Sequence, residues 1–271
     1  MTASEDLVRS PIVLLHGATS SARVWDPLLP RLKLKHRVFA PTLAGHRGGP
    51  PLPAGPTGVV ERIVDAMCQQ LDDAAIEAPY VVGNSLGGWV ALELARRGRA
   101  KSVLALAPAG AWRSDRDLLR MLALFRGAAA FARAKHAPNL AARKRVRRVL
   151  LRLMAEHADR MTPAQVAAAF EDIAGCTGLP DILDGARHNG RINPVTEVGC
   201  RVCIAWGLND RMLPFMRYGA PMLAAVPAAE FKLLPGVGHV PMIDDPVLVA
   251  DTILAFAETT DSRLRPSLED R

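Results

Sequence analysis

Short apolar runs alternate along this chain with longer segments in which apolar residues recur every three or four positions. The runs have the length of buried strands, and the longer segments have the period of amphipathic helices, as at residues 59–71 and 88–97. Such alternation is typical of a parallel sheet with helices on both faces, joined by right-handed crossovers. The sequence therefore predicts an α/β fold with strands at residues 12–15, 37–40, 80–82, 102–106, 202–206 and 231–234.

The alternation stops between residues 111 and 196, where no strand pattern occurs. Helical patterns replace it at residues 115–125, 140–156 and 163–173. The last has a readable start, because Thr162 can cap the helix, Pro163 suits its first position and Gln165 can complete a capping box. An all-helical block inside a parallel sheet predicts a helical cap domain at 111–196, inserted into a core formed by residues 1–110 and 197–271.

A G-x-S-x-G pattern is the most specific motif in the chain. Gly83, Asn84, Ser85, Leu86 and Gly87 follow an apolar run and precede a helical segment, which is the context that a nucleophile elbow requires. Bulky side chains two positions from the serine would collide in so tight a turn, and the two glycines remove them. The pattern predicts that the Ser85 hydroxyl stands above the sheet at the N-terminus of a helix.

Serine needs a general base, and the base needs an orienting carboxylate. The loop after residues 202–206 contains Asp210, and the loop after residues 231–234 contains His239. Because carboxyl ends of parallel strands meet at one sheet edge, both loops are expected beside Ser85. The chain order of nucleophile, acid and base is the one found in α/β-hydrolases.

Other aspartates compete for the role of the orienting acid. Asp115 also follows a strand, but it lies at the start of a cap helix, where we expect it to be solvated. Asp181 and Asp184 belong to the cap and are expected farther from the sheet edge. Asp210 is therefore the predicted acid.

Acyl transfer also needs hydrogen-bond donors aimed at the developing oxyanion. The backbone amide of Leu86, directly after the nucleophile, is one candidate. The loop after the first strand should supply the second, and we assign it to the amide of Ala18, which Gly17 allows to approach closely. His16 has a catalytic residue type, but we expect a structural role for it because His239 fills the position of the base.

These pieces together resemble the α/β-hydrolase superfamily of serine hydrolases with a helical cap. The resemblance extends over residues 11–257, and its matching segments are 14–17, 41–46, 83–88, 206–214 and 238–241. It implies the α/β-hydrolase fold with a mostly parallel sheet, and catalysis that needs no metal or organic cofactor. Only ten residues precede Pro11, too few for the β-hairpin usual in the family, so six strands are expected rather than eight.

The resemblance also narrows the chemistry. Dehalogenases and epoxide hydrolases of this superfamily carry an aspartate at the elbow, so Ser85 disfavours those activities. Ser85 fits esterases, lipases, thioesterases, carbon–carbon bond hydrolases and cofactor-free perhydrolases. We expect a small-molecule carboxylic ester or thioester as the substrate. Two alternatives are a carbon–carbon bond hydrolase, in which Arg187 or Arg191 would bind a substrate carboxylate, and a ligand-binding protein with a triad and little turnover.

Composition adds an expectation about location. Apolar residues make up 49% of the 271 positions, yet no run is long enough to cross a membrane. Residues 1–6 lack the pattern of a signal peptide, and four cysteines show no disulfide spacing, so a reducing cytoplasm is expected. Cys200-x-x-Cys203 is half of a zinc-site pattern, and partly buried structural thiols are the favoured interpretation.

The net charge of +7 is concentrated in one segment. Residues 113–160 contain 13 Lys and Arg against 4 Asp and Glu. Within it, residues 143–154 are amphipathic, with Val146, Val149 or Leu150, and Leu153 on one apolar face and a basic face opposite. A solvated cap helix is the simplest interpretation, and weak attraction to anionic lipids or anionic substrates is the functional one. No nucleic-acid-binding motif accompanies the charge, so no nucleic-acid partner is expected.

Overall fold

A six-stranded parallel sheet forms the centre of the molecule. The structure is a computed structural model that describes residues 10–189 and 191–264, so the expectation about residues 1–6 lies outside the described part. The strand order is β2-β1-β3-β4-β5-β6, with every neighbouring pair parallel. The strands are β1 Ile12–Leu15, β2 Val38–Phe39, β3 Tyr80–Asn84, β4 Ser102–Leu106, β5 Arg201–Gly207 and β6 Glu230–Leu234. The predicted fold class and strand number are confirmed.

Helices connect these strands and cover the sheet. Two short 3₁₀ helices lie at Ala22–Leu28 and Ala158–Arg160. The α-helices of the described residues are α1 Leu29–Leu32, α2 Val59–Asp73, α3 Leu86–Arg96, α4 Asp115–Ala132, α5 Ala137–Ala142, α6 Lys144–Leu150, α7 Pro163–Ala174, α8 Leu179–Asn189, α9 Phe215–Ala225, α10 Pro241–Asp244 and α11 Pro246–Leu264.

Both faces of the sheet are buried at its central strands β1, β3, β4 and β5, which explains why these strands are mostly apolar runs. In β1, Val13 and Leu15 face the core cluster that includes α2 and α3. Ile12 and Leu14 face the opposite cluster, which includes α11. The period-two alternation of a strand therefore divides one apolar run between two cores.

The strand order creates a crevice at the carboxyl end of the sheet. From β1 the chain passes to β2 on one side, whereas from β3 it passes to β4 on the other. The point where connections leave in opposite directions is where open α/β sheets bind ligands. The loop after β1 and the turn after β3 both emerge at this point, so the fold itself places Ala18 and Ser85 together.

Between β4 and β5 the described residues form helices and no strand. The predicted capping box of α7 is present, since Thr162 and Gln165 exchange side chain–backbone hydrogen bonds of 2.8 and 3.2 Å. This all-helical segment agrees with the prediction of a cap at residues 111–196, and its status as a separate domain stays a prediction.

One element of the cap differs from its prediction. Instead of a single helix at 140–156, the chain forms α5 and α6, which are separated at Arg143 by an extended backbone with φ −73° and ψ 118°. The side chain of Arg147 is buried and donates to the carbonyl of Asp159 at 2.9 Å. Because that contact fixes the rotation of α6, Val149 is 73% exposed rather than packed on the core.

No helix among the described residues has the length and apolar character needed to span a bilayer.

Candidate active site

Ser85 lies in a strained turn between β3 and α3. Its φ of 55° and ψ of −115° define a backbone conformation that residues with a side chain rarely adopt. A Cβ on Gly83 would overlap the backbone carbonyl of Gly87, and a Cβ on Gly87 would overlap that of Leu15. The two glycines of the motif are therefore required by close backbone approach, as the elbow hypothesis states.

Backbone hydrogen bonds hold this turn in place. The amide of Ser85 donates to the carbonyl of Leu106 at 2.9 Å, which continues the pairing of β3 with β4. The carbonyl of Ser85 accepts from the amides of Trp89 and Ala109, at 3.1 and 3.0 Å. The surrounding structure thus fixes the strained conformation and leaves the side chain to project from the sheet edge.

His239 and Asp210 form a buried hydrogen-bonded pair. Nδ1 of His239 is 2.8 Å from Oδ2 of Asp210, and both side chains are almost fully buried. Oδ1 of Asp210 accepts from the amide of Leu213 at 2.7 Å, which fixes the orientation of the carboxylate. With Nδ1 donating to Asp210, the imidazole keeps Nε2 unprotonated, which is the tautomer that a general base needs.

The two loops that bear this pair are joined along their backbones. The amide of Leu208 donates to the carbonyl of Leu234, and that of Asn209 donates to Val237, both at 3.0 Å. A Cβ on Gly207 would overlap the carbonyl of Gly238. The residues predicted as acid and base are therefore brought together by direct contact between their loops.

Asn84 connects the elbow to the histidine loop. Its side-chain amide donates to the backbone carbonyl of His239 at 2.9 Å and to that of Leu106 at 3.1 Å. Asn84 is buried, so both donors of its amide group are satisfied inside the protein. The motif identified this residue only as a variable position, and the structure shows that it joins the Ser85 turn to the His239 loop.

Both ring nitrogens of His16 form hydrogen bonds with the backbone. Its Nε2 accepts from the amide of Leu43 at 3.0 Å, so Nδ1 is protonated and donates to the carbonyl of Gly17 at 2.8 Å. Burial lowers the pKa of His16 to about 3, with the neighbouring His46 as the second cause. A neutral His16 with both ring nitrogens occupied orders the loop after β1 and is not available as a base.

Two backbone amides beside Ser85 have no acceptor. The loop after β1 packs on the elbow so closely that a Cβ on Gly17 would lie 3.3 Å from Cβ of Ser85. Among the described residues, no carbonyl or side chain accepts from the amides of Ala18 and Leu86. Unused amides next to a nucleophile are what an oxyanion hole requires, so the assignment of these two donors stays our prediction with this support.

Two cavities meet at Ser85. The first, of about 600 Å³, contains Ser85 and His239 and is otherwise mostly apolar. The second, of about 700 Å³, contains Ser85, Leu86 and Trp89, and it reaches the cationic side chains of Arg187 and Arg191. Both cavities are also lined by Ala18, Met121 and Phe125, so Ser85 lies where they join.

The competing carboxylates lie elsewhere. Asp115 is 90% exposed and pairs with Arg191 at 3.2 Å. Asp181 and Asp184 are exposed on α8. None of them contacts His239, whereas Asp210 does, so Asp210 is the acid that this geometry supports. Among the described residues no group of three or more His, Cys, Asp or Glu is placed to hold a metal ion, and Cys176 and Cys203 are buried free thiols.

Comparison with known proteins relates the whole sheet region to one family. A model of the alpha/beta hydrolase family matches residues 12–252. Epoxide hydrolase EphH of Mycobacterium tuberculosis is 32% identical over 209 residues, which are 76% of this chain and 98% of that protein. A pimeloyl-[acyl-carrier protein] methyl ester esterase of Aromatoleum aromaticum is 46% identical over 89 residues, 33% of this chain and 32% of that protein.

Solved structures agree in fold. A thermophilic esterase from Thermogutta terrifontis matches with a TM-score of 0.72 at 20% identity, over 93% of this chain and 90% of that one. At this identity the likeness concerns the fold alone. The similar sequences include an epoxide hydrolase and an ester hydrolase, so similarity supports hydrolysis and leaves the bond to be argued from the site.

Proposed function

Because the chain belongs to the alpha/beta hydrolase family, we propose that it is a serine hydrolase that cleaves carboxylic esters, thioesters included, through an acyl-enzyme on Ser85. The observation that carries the proposal is the strained Ser85 turn, which lines one cavity together with a His239 imidazole that Asp210 orients through a 2.8 Å hydrogen bond. These are the three roles that nucleophilic acyl transfer needs, in the chain order of this family.

The mechanism follows from these positions. Oγ of Ser85 attacks the substrate carbonyl while Nε2 of His239 takes its proton, and Asp210 stabilises the imidazolium that forms. The carbonyl oxygen gains negative charge and accepts hydrogen bonds from the amides of Ala18 and Leu86. His239 then protonates the leaving alcohol or thiol. A water molecule, deprotonated by the same imidazole, attacks the acyl-enzyme and releases the acid.

The elbow residue favours an ester over an epoxide for a chemical reason. A carboxylate that opens an epoxide forms an ester with the substrate, and water can hydrolyse that ester. A serine hydroxyl that opened an epoxide would form an ether, which water does not cleave under the same conditions. Ser85 therefore suits a substrate whose adduct with serine is itself an ester.

Labelling with a fluorophosphonate probe, read by intact mass, tests the proposal. We expect one adduct on the wild type and none on Ser85→Ala or His239→Ala. The control is Ser20→Ala, which removes another serine lining the same cavity and should keep the adduct. Hydrolysis of a nitrophenyl ester should fall by about 10³-fold or more in Ser85→Ala. Epoxide turnover that survives Ser85→Ala would contradict the proposal, and an unlabelled wild type would favour a ligand-binding protein.

The second cavity supports one further candidate, hydrolysis of a carbon–carbon bond in a vinylogous diketone. Arg187 and Arg191 line that cavity, and a guanidinium there could bind a substrate carboxylate. Loss of colour from a chromophoric dienoate, with a raised KM in Arg187→Ala, would support this candidate. Turnover of esters without turnover of the dienoate would reject it.

A further inference from the structure

The mouth of the first cavity has an apolar rim on the outer surface of the helical segment. Leu124 of α4, Leu150 of α6 and the nearby Leu153 line this cavity and are also exposed to solvent, by 36%, 39% and 36%. Val149, next to Leu150 in the chain, is 73% exposed. Leucines that line the cavity and are also exposed place apolar side chains at the opening of the cavity that contains Ser85.

The helical segment that bears this rim is strongly basic. All 13 Lys and Arg of residues 113–160 are exposed except Arg147. In the part of the chain that the structure describes, none of them lies within salt-bridge distance of a carboxylate. By contrast, Asp115, Asp117 and Glu156 of the same segment pair with arginines outside it. The positive charge of the segment is therefore not neutralised within the protein.

We propose that one face of the helical segment docks on an anionic lipid surface, with the mouth of the first cavity directed toward the lipid. Its apolar side chains are those of Leu124, Val149, Leu150 and Leu153, and its basic side chains are those of Arg145, Arg148 and Arg152. Apolar side chains that enter the interface and basic side chains that remain at the headgroups are the two elements of interfacial binding. The inference deepens the proposed function, on which it rests, because it assigns the ester substrate to a lipid surface.

The arrangement of the two kinds of side chain favours a lipid surface over an acidic soluble ligand. An acidic solute would need only the charge, and Val149 and Leu150 would then gain nothing from their exposure. An anionic bilayer is complementary to both features at once. It would also cover the apolar rim, so a lipophilic ester could pass from the bilayer to Ser85 without crossing water.

Co-sedimentation with vesicles tests the docking without relying on turnover. We expect the Ser85→Ala protein to bind phosphatidylcholine vesicles that contain phosphatidylglycerol, and not vesicles of phosphatidylcholine alone. Added salt should weaken the binding, since salt screens exposed charges. The double variant Arg148→Glu/Arg152→Glu should bind at least about twentyfold more weakly, because each basic residue near an anionic surface contributes roughly fivefold.

A charge-matched control separates the face from the net charge. Lys33→Glu/Lys232→Glu changes the same number of exposed basic residues, and both lie outside the segment. It should bind like the parent protein. Val149→Ser should weaken binding, whereas Met216→Ser, at a position that is 77% exposed elsewhere, should not.

Three results would overturn the proposal. The first is that the two double charge variants lose vesicle binding equally, and the second is that the Arg148 and Arg152 substitutions have no effect on it. The third is that the protein binds an acidic protein but does not bind anionic vesicles. Since the parent protein in these assays lacks the serine nucleophile, a failure of docking is distinguishable from a failure of the proposed hydrolysis.

Discussion

The carboxylate of Asp244 accepts a hydrogen bond of 2.7 Å from the backbone amide of Gly238, the residue that precedes His239. The same carboxylate accepts from the amides of Glu156 and His157, at 3.1 and 2.6 Å. Asp244 is fully buried. One side chain therefore ties the loop of the proposed base to the helical segment that covers the cavity.

Removal of that carboxylate should affect both stability and catalysis. Asp244→Ala would leave one buried and two partly buried amides without this acceptor, and we expect it to lower the free energy of unfolding by about 3 kcal/mol. In the fraction that stays folded at low temperature, kcat should fall by about tenfold to a hundredfold, since small displacements of a catalytic group carry costs of that order. Urea unfolding and active-site-titrated kinetics measure the two effects.

The control for Asp244→Ala is a substitution that lowers stability without a link to His239. Thr162→Ala removes the cap of α7 and should cost about 1 kcal/mol while kcat stays unchanged. If Asp244→Ala lost stability and kept the wild-type kcat per labelled serine, Asp244 would be a structural residue and its role in positioning His239 would be wrong.

The strain at Ser85 predicts that the proposed nucleophile lowers the stability of the protein. Ser85→Gly should raise the free energy of unfolding by about 1 kcal/mol, because glycine adopts the observed φ of 55° without steric cost. Ser85→Ala is the matched control, since it removes the hydroxyl but keeps the Cβ, and it should be close to neutral. Thermal and urea unfolding of the three proteins compare these values. Equal stability of the glycine and alanine variants would show that the turn is unstrained.

Buried contacts between Asp172 of α7 and the core predict a second anchor of the helical segment. Oδ2 of Asp172 accepts from the hydroxyl of Ser21 at 2.6 Å, and Oδ1 accepts from the guanidinium of Arg23. Asp172→Asn should cost about 2 kcal/mol and speed hydrogen exchange in α7, because a buried charge-assisted pair is lost.

The neighbouring Glu171 provides the comparison for Asp172. It also pairs with Arg23, at 3.2 Å, but it is half exposed. Glu171→Gln should therefore change stability by less than about 1 kcal/mol. Equal effects of the two substitutions on exchange in α7 would argue against an anchor at Asp172.

The sequence predicted the elements whose signals are local. The strands, the Ser85 turn and the capping box of Thr162 each depend on residues within a few positions of one another. Asn84 and Asp244 were missed because their partners are distant in the chain. Asn84 bonds to a carbonyl 155 positions away, and Asp244 bonds to an amide 88 positions away. A buried polar residue becomes interpretable only when the fold has brought its partner to it.

A contact between distant residues also accounts for the error at residues 140–156. Hydrophobic periodicity predicted one helix with Val149 on its buried face. The tertiary contact from Arg147 to the carbonyl of Asp159 instead sets the rotation of α6. Long basic side chains can be buried along their apolar stems, so charge alone does not identify the solvent face of a short helix.

Protonation of His16 should contribute to unfolding of the protein in mild acid. Burial lowers the pKa of His16 in the folded protein to about 3, from 6.5. Since the unfolded state binds the proton first, this contribution to stability is complete above pH 6.5 and is lost as the pH falls from 6.5 toward 3. Between pH 7 and pH 5 the group should remove about 2 kcal/mol from the free energy of unfolding.

Substitution of His16 tests this dependence against an exposed histidine. His16→Gln should be less stable than wild type at pH 7, because the ring loses its contacts with Leu43 and Gly17. Between pH 7 and pH 5 its stability should nevertheless fall less steeply than that of the wild type, by about 1 kcal/mol less per pH unit. Exposed His136 supplies the control, since His136→Gln should keep the wild-type slope. If urea unfolding gave His16→Gln the same slope as wild type, His16 would not be held neutral, and another group, such as the buried His46, would account for the acid sensitivity.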